Sequence, residues 1–578
     1  MNNTPNTPLS HTATNLSSFS RSNLFPSKSD FPSQAQFFPR LLLSQWNINI
    51  LSYFFFHKMN RYQTLIKKRI TFSRHKALFS THPPPTSNLI SANDEPLGFV
   101  PAEVIKKKRD GKVLTESEIH WMISEFHNKS GTILDYQMAS FLMTICVKGM
   151  NEREAMDLTN AMMYTGSRNK LRDKLVGVSN KIIDKHSTGG VGDKVSLVVA
   201  PLAASLGLVV PMVSSRGLGH TGGTIDKIES IPGYRSDLTP EEFYHQLATI
   251  GCGIISTNHS VSPVENRIYA LRDTSGSVDS PALIASSIMS KKLANIPDAL
   301  LLDVKTGRGA FMSHLKDAVA LARMMVSIGE NSGVRTRALI TNMDQPLGSA
   351  VGNFLEVREA VDVLDPKALL RSYPPSPALQ EVQDLALCLV ASMQCMAGNC
   401  DSYSEAHSNA QAKLADGSAF DIFLQMIEFQ GGDPRAVLNA NEHLKKSTHS
   451  TLLVTAPKEG RIRAIDSLKI GMASLALGSG RLHAGDPIDP YAGIILHVKV
   501  GDLVKPGDPL FTCYVGNVDL LGMSPSIRLE RGSKRAEHAF NITDPNKHCA
   551  PDPLVSYLVD TTDIYTFDPQ KIDIKYFK

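Results

Sequence analysis

A glycine-rich segment at Lys185–Asp193, reading KHSTGGVGD, carries residue types suited to anion binding. Its glycines let backbone N–H groups approach a ligand closely. The apolar helix predicted at 195–206 would add unpaired N–H donors and the positive end of its dipole. Lys185 supplies a charge, and Ser187 and Ser196 supply hydroxyls. The pattern favours phosphate, although a structural turn explains one such loop about equally well.

A second segment at 214–224, reading SSRGLGHTGGT, follows another strand candidate and precedes another helix start. Neither segment is a Walker A loop or a GxGxxG fingerprint. Ligands of α/β sheets bind beyond the carboxyl ends of the strands. We therefore expect the two loops to face one anion from neighbouring strands.

A third set of residues lies on a helix predicted to begin at Asp279–Pro281. Ser287 and Lys291 are four residues apart and share a face of that helix, with Ile288 beside them. An apolar seat with a hydroxyl and an ammonium suits a flat heterocycle with exocyclic oxygens, and Arg272 can add a second cation. The alternative is an amphipathic helix whose lysine faces solvent, which the spacing alone favours.

The elements that position these residues change in type along the chain. Three helices come first, and capping signals precede each of them. Strand candidates then alternate with helices, which predicts a mostly parallel sheet; they lie at 181–184, 209–213, 251–256 and 299–304. After about residue 450, apolar residues alternate with Gly/Pro turns, and this predicts a separate β-rich domain with a helix within 459–478.

The chain has 578 residues, 60 Lys+Arg against 56 Asp+Glu, and a formal charge of +4. Residues 1–93 hold ten of the basic residues and one acid, Asp30, so the remainder carries a charge of −5. Nucleic-acid binders usually place their basic excess on the folded domain, so this class is disfavoured. The apolar stretch at 41–56 is too short and too polar for a membrane helix, and we expect neither nucleic acid nor membrane as a partner.

The leader at 1–93 is predicted to be disordered. From Met59 it is basic, rich in hydroxyl side chains and free of acids, which is typical of a mitochondrial transit peptide. A disordered tail or an upstream start of translation is the alternative. We expect the mitochondrial matrix as the location, with the cytoplasm as the alternative. The seven cysteines form no Cys-x-x-Cys or zinc pattern, so we expect thiols in a reducing compartment.

Several long motifs together resemble one enzyme family. SSRGLGHTGGTIDKIES closely resembles the signature of thymidine and pyrimidine-nucleoside phosphorylases. KHSTGGVGD, YALRD, SSIMSKKLA and DVKTGRGAF resemble further blocks of that family in the same order and spacing. DSLKIGMASLALGSGR and DPIDPYAGI resemble its small terminal domain. The resemblance runs from about residue 97 to 545.

The resemblance implies an α/β fold with a small all-helical domain and a C-terminal α+β domain. Its mostly parallel sheet would carry the phosphate-binding Gly-rich loops, and the protein would be a homodimer formed through the helical domain. The implied division is a leader at 1–93, a helical domain at 97–168 with 264–295 packed on it, an α/β domain at 178–260 and 297–445, an α+β domain at 450–545 and a tail at 546–578.

The implied activity is phosphorolysis, in which a pyrimidine nucleoside and phosphate give the free base and pentose 1-phosphate. Carried over by position, the phosphate-binding residues are Lys185, Ser187, Ser196, Ser214 and Thr224. Those at the base are His186, Tyr269, Arg272, Ser287, Ile288 and Lys291. His186, Arg272 and Lys291 would stabilise the developing base anion, and His186 would also serve as general acid if its pKa allows. We expect no cofactor, with inorganic phosphate as co-substrate.

Some bacterial relatives bind potassium, and the matching positions here are Gly192, Lys194, Leu347, Ala350 and Glu359. Lys194 replaces a small hydroxyl residue, so we expect its ammonium to take the place of the cation and pair with Glu359, leaving no metal site. Arg308 stands where a small residue is expected and would either contact phosphate or be exposed, the latter being favoured. Met212 stands where relatives of broader specificity can carry lysine, which favours 2′-deoxy substrates.

The leading hypothesis is a thymidine-preferring phosphorylase of pyrimidine salvage or catabolism. A broader uridine/thymidine phosphorylase is the nearest alternative. A related phosphoribosyltransferase, such as the anthranilate enzyme, is disfavoured by Arg272, Ser287 and Lys291. A catalytically inactive nucleoside-binding or signalling protein is disfavoured because every motif residue that can be matched is present.

Overall fold

The computed structural model describes residues 98–166, 171–217, 219–220, 222–256, 262–371, 375–481, 485–520 and 522–577. The leader predicted at 1–93, with its Met59 segment, lies outside the described residues. Within the described segments, no helix has both the length and the apolar character needed to cross a bilayer.

Helices open the described chain: α1 Pro101–Arg109, α2 Glu116–His127, α3 Asp135–Lys148, α4 Glu152–Met163 and the single turn α5 Leu171–Lys174. Local sequence sets two of the starts. The Thr115 side chain accepts a hydrogen bond from the Glu118 N–H, and Asn151 does the same for Glu154, so a capping box forms at each of these two starts. The apolar faces of α2, α3 and α4 meet in one buried cluster.

An alternating segment follows, as predicted. It comprises β1 Ile183–Ser187, α6 Val195–Ser205, β2 Val210–Ser214, α7 Thr224–Ile228, α8 Pro240–Ile250, β3 Cys252–Ser256, α9 Pro263–Ser275, α10 Pro281–Ala294, β4 Ala299–Thr306, α11 Leu315–Asn331 and β5 Arg335–Asn342. The pairs β1–β4, β4–β5 and β2–β3 are all parallel. β1 runs further than predicted because His186 and Ser187 pair with Leu302 and Asp303.

Helices α9 and α10, which follow the two Gly-rich loops in the chain, pack against the opening helices. Val264, Ile268 and Leu283 belong to the same buried cluster as Phe126 and Phe141 of the opening helices. The segment between β3 and β4 therefore packs against the helical unit, while β1 and β4 belong to the parallel sheet. This arrangement brings side chains of both units to one place.

A mainly helical stretch covers the other side of the α/β unit: β6 Ala350–Val351, α12 Asn353–Leu364, α13 Pro366–Arg371, α14 Pro377–Ala397, α15 Tyr403–Ala415, α16 Ser418–Phe429, α17 Pro434–Leu438 and α18 Ala440–Ser447. α14 and α16 pack against α6, the apolar helix that follows the first Gly-rich loop. Their buried residues, Leu385, Leu389 and Phe423 among them, form one large core with those of α6. The position of α6 is thus fixed by packing.

The β-rich region predicted after residue 450 is present. Its elements are β7 Thr448–Thr455, β8 Gly460–Ile465, α19 Ser467–Leu477, β9 Gly493–Leu496, β10 Leu503–Val504, β11 Pro509–Gly516, α20 Pro525–Glu537 and β12 Phe540–Thr543. They form an antiparallel sheet of order β6-β9-β11-β7 and a smaller one of order β10-β8-β12. β6 belongs to the preceding stretch of chain, so this region is linked to the α/β unit by backbone pairing.

The prediction of a tail at 546–578 needs a correction. Residues Val555–Val559 form β13, which pairs antiparallel with β5, and Ile564–Thr566 form β14 beside it. The main sheet therefore has the order β1-β4-β5-β13-β14. Leu558 and Val559 are fully buried, so this short apolar run covers an edge of the sheet that would otherwise stay unpaired.

Candidate active site

The first Gly-rich loop, at 185–193, leaves the carboxyl end of β1 and leads into α6. The Ser187 hydroxyl donates a hydrogen bond to Asp193, and the Gly189 N–H donates to Ser187 Oγ at 3.1 Å. Gly192 has φ +75°, and a Cβ there would lie 2.7 Å from the Leu347 carbonyl oxygen. Glycine at 192 is therefore required both by the backbone conformation and by the close approach of a second chain segment.

The second loop is held to the first by a buried lysine. Lys227 Nζ donates to Gly222 O at 2.9 Å within its own loop and to Asp193 O at 3.1 Å in the first loop. It also lies 3.2 Å from Glu356 Oε2. Gly223 leaves no room for a side chain, because a Cβ would lie 2.0 Å from the backbone N of Gly217. The two loops are thus neighbours in space, as their positions after β1 and β2 predict.

Buried charges underlie the first loop. Lys185 Nζ lies 3.2 Å from Ser196 Oγ and 3.3 Å from Asp303 Oδ2. Lys305 Nζ lies 2.8 Å from the same Asp303 oxygen and 4.0 Å from Asp193 Oδ1. Burial acts to lower the pKa of Lys305, but the carboxylates of Asp193 and Asp303 outweigh it and raise that pKa. Two ammonium groups and two carboxylates therefore meet beneath the place where phosphate is expected.

The Asp193 carboxylate is kept ionised by the same cluster. Burial alone would raise its pKa, but Lys305, Lys185 and Lys227 together hold the pKa below its usual range. Since Asp193 also accepts a hydrogen bond from the Ser187 hydroxyl, its charge orients a predicted phosphate-binding group.

The base-site residues on α9 and α10 are buried. Arg272 is 2 % exposed and donates to the carbonyl oxygens of Leu283 at 3.0 Å and Val278 at 2.6 Å. Lys291 is 5 % exposed, so the alternative of a solvent-facing lysine is wrong. The Tyr269 ring centroid lies 5.7 Å from Arg272 Cζ and 6.0 Å from Lys291 Nζ. An aromatic ring and two cations therefore surround one space.

The His186 side chain is neutral at neutral pH. Burial lowers its pKa well below the usual range, and the nearby charges of Lys292, Lys291 and Lys185 lower it further. The expectation that His186 acts as a general acid depended on its pKa, and the lowered pKa disfavours a charged imidazolium there. A neutral imidazole still offers one N–H donor.

One cleft brings all of the predicted substrate residues together. Its walls include Lys185, His186, Ser187, Ser196, Ser214, Thr224, Tyr269, Arg272, Ser287, Ile288 and Lys291. Met212, Val278 and Phe311 add apolar surface between the two sets. Arg308 is exposed and does not belong to this wall; its backbone N–H donates to Asp344 Oδ1 at 3.1 Å. The arrangement can place an oxyanion beside a flat, apolar ring.

Comparison with known proteins gives consistent matches along the chain. The Glycosyl transferase family, helical bundle domain, matches residues 102–166, and the a/b domain of the same family matches residues 179–420. The Pyrimidine nucleoside phosphorylase C-terminal domain matches residues 461–521. The pyrimidine-nucleoside phosphorylase of Staphylococcus haemolyticus (strain JCSC1435) is 43 % identical over 419 residues, which are 72 % of this chain and 93 % of the relative. The chain belongs to the pyrimidine-nucleoside phosphorylase family.

A second relative agrees with this membership. The pyrimidine-nucleoside phosphorylase of Geobacillus stearothermophilus is 42 % identical over 412 residues, which are 71 % of this chain and 91 % of the relative. A solved anthranilate phosphoribosyltransferase from Thermus thermophilus matches with 17 % identity and a TM-score of 0.45, covering 57 % of this chain and 99 % of that one. The family and the fold class predicted from the motifs are confirmed.

At the positions that match the potassium site of bacterial members of this family, the structure has an ammonium group. Lys194 Nζ donates to Leu347 O at 2.7 Å, Ala350 O at 2.9 Å and Glu359 Oε2 at 2.5 Å. Burial acts to raise the pKa of Glu359, but Lys194 and the hydrogen bonds from Ser349 together outweigh it and lower that pKa, which favours an ionic pair. In the part of the chain that the structure describes, no cluster of three His, Cys, Asp or Glu side chains could hold a metal ion.

The sequence reasoning missed several buried charged residues around the cleft. Asp303 and Lys305 could have been found, because residues two apart on a strand point to the same face. Lys227 and Glu265 gave no usable signal in the sequence, because their partners lie on other elements. Glu265, on α9, contacts both Ser287 and Lys291 of α10.

Proposed function

We propose that this chain catalyses the phosphorolysis of pyrimidine nucleosides, with thymidine as the preferred substrate. The observation that carries the proposal is the single cleft that joins two glycine-rich loops to a buried Arg–Lys–Tyr site. Membership of the pyrimidine-nucleoside phosphorylase family supports it. The products are thymine and 2-deoxyribose 1-phosphate.

Phosphate binding is assigned to the loop side of the cleft. Lys185 supplies a charge, and Ser187, Ser196, Ser214 and Thr224 supply hydroxyl groups. The first turn of α6 adds backbone N–H donors. Since Lys185 and Lys305 share Asp303, the bound anion competes with that carboxylate for Lys185. The charge, the hydroxyl groups and the N–H donors together hold the phosphate in position to attack the anomeric carbon.

Base departure is assigned to the α9–α10 side. A phosphate oxygen forms a bond to the anomeric carbon, and the bond from that carbon to the base nitrogen breaks. The electron pair of that bond leaves with the base, which becomes an anion. Lys291 and Arg272 stabilise this charge in a site with little solvent, and neutral His186 donates one hydrogen bond. The base then takes a proton from solvent.

The preference for 2′-deoxy substrates is proposed from Met212. It lines the cleft two residues before Ser214, and its thioether offers only a weak acceptor to a ribose 2′-hydroxyl. Thymidine and deoxyuridine should therefore have higher kcat/KM values than uridine. Equal values for uridine and deoxyuridine would favour the broader uridine/thymidine phosphorylase instead.

No cofactor is proposed, and potassium is predicted to be dispensable because Lys194 already fills its place. Wild-type activity should be the same in potassium chloride and in tetramethylammonium chloride.

Lys194→Thr leaves Glu359 buried without its cation, a loss that typically costs about 3–5 kcal/mol of stability. Chemical denaturation and activity assays of Lys194→Thr in both salts measure this loss. Potassium should partly restore the stability and the activity of the variant. Wild-type activity that collapses without potassium would contradict the assignment.

The neutral state of His186 predicts a pH dependence of stability. Unfolded histidine takes up a proton near pH ~6.5, whereas His186 in the folded protein takes it up only at a lower pH because its pKa is lowered. The unfolded state then binds more protons, so the free energy of unfolding should fall as the pH drops below about 6.5. Chemical denaturation should show a smaller fall in His186→Asn, and no such change in His245→Asn, an exposed control. Equal slopes in wild type and His186→Asn would contradict a lowered pKa.

A homodimer formed through the helical domain is also proposed. That domain exposes large apolar side chains, with Tyr136 at 67 %, Val147 at 70 % and Tyr164 at 52 % exposure. A partner subunit that packs against this domain would bury these side chains. Light scattering of the purified chain should give twice the monomer mass, and a monomer at micromolar concentration would exclude the assignment.

The mitochondrial matrix is proposed as the location, on the basic, acid-free composition of the leader after Met59. Imaging of the full chain tagged at its C-terminus, started from Met1 or from Met59, tests this. Mitochondrial signal from the Met59 start supports import, and diffuse cytoplasmic signal from both starts would favour the cytoplasm.

The activity itself is tested by following free base with and without phosphate. Thymine should appear from thymidine only when phosphate is present. Phosphate-dependent release from none of thymidine, deoxyuridine and uridine would contradict the proposed function and favour an inactive nucleoside-binding protein.

A further inference from the structure

A buried carboxylate lies behind the two residues that are assigned to the base. Glu265 is in the first turn of α9 and is 2 % exposed. Its Oε1 accepts a hydrogen bond from the Ser287 hydroxyl and lies 3.1 Å from Lys291 Nζ. Lys291 Nζ in turn lies 3.2 Å from Ser287 Oγ. The three side chains form a closed triangle across α9 and α10.

We propose that Glu265 is a positioning residue that holds Ser287 and Lys291 and sets the net charge of the base site. This inference rests on the proposed function, because it gives Glu265 a task only if a base anion forms beside Lys291. Ser287 uses its single proton on Glu265, so its oxygen is left to accept from Lys291. The carboxylate thus fixes the orientation of both groups.

The charge count around the base supports this role. Arg272, Lys291 and Glu265 are each at least 95 % buried, and together they carry two positive charges and one negative charge. Burial acts to lower the pKa of Arg272, and among the charges that oppose this Glu265 acts most strongly, with Asp279 weaker. His186 adds no charge. The net charge of +1 on these three side chains matches the single negative charge of a departing pyrimidine.

The start of α9 is fixed, so Glu265 cannot easily turn away. Ser262, just before the helix, has φ +47°, and its hydroxyl donates to Met162 O at 3.2 Å. The Val264 N–H donates to Thr165 Oγ1 at 3.5 Å. These contacts tie the first turn of α9 to the end of α4, and the carboxylate is presented to α10 from a rigid position.

A charge-setting role predicts how the site discriminates between ionised and neutral bases. In the full-length wild type, calorimetry at neutral pH with phosphate present gives the dissociation constants of thymine, which is neutral, and 5-nitrouracil, which is ionised. Glu265→Gln keeps an acceptor for Ser287 but raises the net charge. The preference is the ratio of the dissociation constant of thymine to that of 5-nitrouracil. Glu265→Gln should increase this ratio about tenfold or more, since a unit charge acts strongly in a poorly solvated site. Glu265→Asp, which keeps the charge, should stay close to the wild type.

Two further variants change the net charge of the base site in the opposite direction and restore it. Lys291→Met lowers the net charge and should shift the preference toward thymine by a similar factor. In the double variant Glu265→Gln/Lys291→Met only Arg272 of the three side chains is charged, so their net charge is +1 again. Its preference should therefore return close to that of the wild type. This pair of variants also serves if Glu265→Gln alone does not fold.

The outcomes separate this inference from the proposed function. If Glu265→Gln weakens both bases equally, or if the double variant keeps the preference of Lys291→Met, Glu265 is only structural and the inference is wrong. If the folded wild type binds neither base, the proposed function itself fails. Binding of both bases by the wild type, with the preference moved in Lys291→Met but unmoved in Glu265→Gln, overturns the role of Glu265 alone.

Discussion

Replacement of Lys291 by alanine should reduce thymidine turnover about 10²–10³-fold while the protein stays folded, because one preformed electrostatic stabiliser of the transition state is lost. Lys291 is 5 % exposed and lies in the cleft beside Tyr269 and Ser287. Its ammonium is one of the two positive charges assigned to the leaving base. Glu265 keeps the hydrogen bond from Ser287 and the nearby charge of Arg272 in the variant, and these offset part of the stability lost with its direct cation.

Steady-state kinetics with thymidine and phosphate measure this effect, and circular dichroism checks the fold. Lys316→Ala, at an exposed position on α11, is the matched control and should be as active as wild type. The loss should appear in kcat and not only in KM, since the interaction strengthens as the charge develops. Near-normal kcat in folded Lys291→Ala would mean that the base lies elsewhere.

The second large effect is expected from Lys185→Met. This change removes the ammonium closest to Ser196 while keeping most of the side-chain volume. We expect kcat/KM for phosphate to fall about 10²-fold or more, since a charge that binds and orients the attacking anion is lost. Asp303 retains Lys305 at 2.8 Å, so the buried carboxylate is not left without a cation.

The effect of Lys185→Met should be specific to phosphate and should leave the binding of the base unchanged. In Lys185→Met, the dissociation constant of thymine should stay near the wild-type value, while the KM for phosphate rises. Lys181→Met, an exposed position just before β1, is the matched control and should change neither constant. A variant that loses affinity for thymine but keeps its KM for phosphate would reverse the assignment of the two sides of the cleft.

Much of the fold follows from local signals in the sequence. The capping boxes at Thr115 and Asn151 form because their side chains satisfy helix N–H groups that have no partner within the helix. The apolar run ALLLDV becomes β4, which is buried between β1 and β5. The two glycine-rich loops were found because each lies between a strand and a helix, and positive φ at Gly192 shows why glycine is needed there.

Other features depend on contacts between distant segments and left no local signal. β13 is a five-residue strand that joins the sheet more than 200 residues after β5 in the chain, and no periodicity marks where it pairs. Glu265 reads as an ordinary first-turn acid of a helix, and its partners Ser287 and Lys291 become neighbours only when α9 and α10 pack. The lowered pKa of His186 likewise depends on burial and on three lysines brought together by the fold.

A third group of positions is indicated by the family resemblance but not by local sequence pattern. Lys194 was singled out because it replaces a small hydroxyl residue at a family position. Its contacts with Leu347, Ala350 and Glu359 then follow from the approach of a loop some 150 residues away. Spacing alone could not have found that partnership.

The claim that this chain is a phosphorylase is tested most directly by following the phosphorus atom. Full-length protein is incubated with thymidine and inorganic phosphate, and phosphorus NMR is recorded while thymine is quantified. Phosphorolysis predicts that 2-deoxyribose 1-phosphate and thymine accumulate in equal amounts as inorganic phosphate declines. Thymine released while inorganic phosphate stays constant, or no thymine at all, would contradict it.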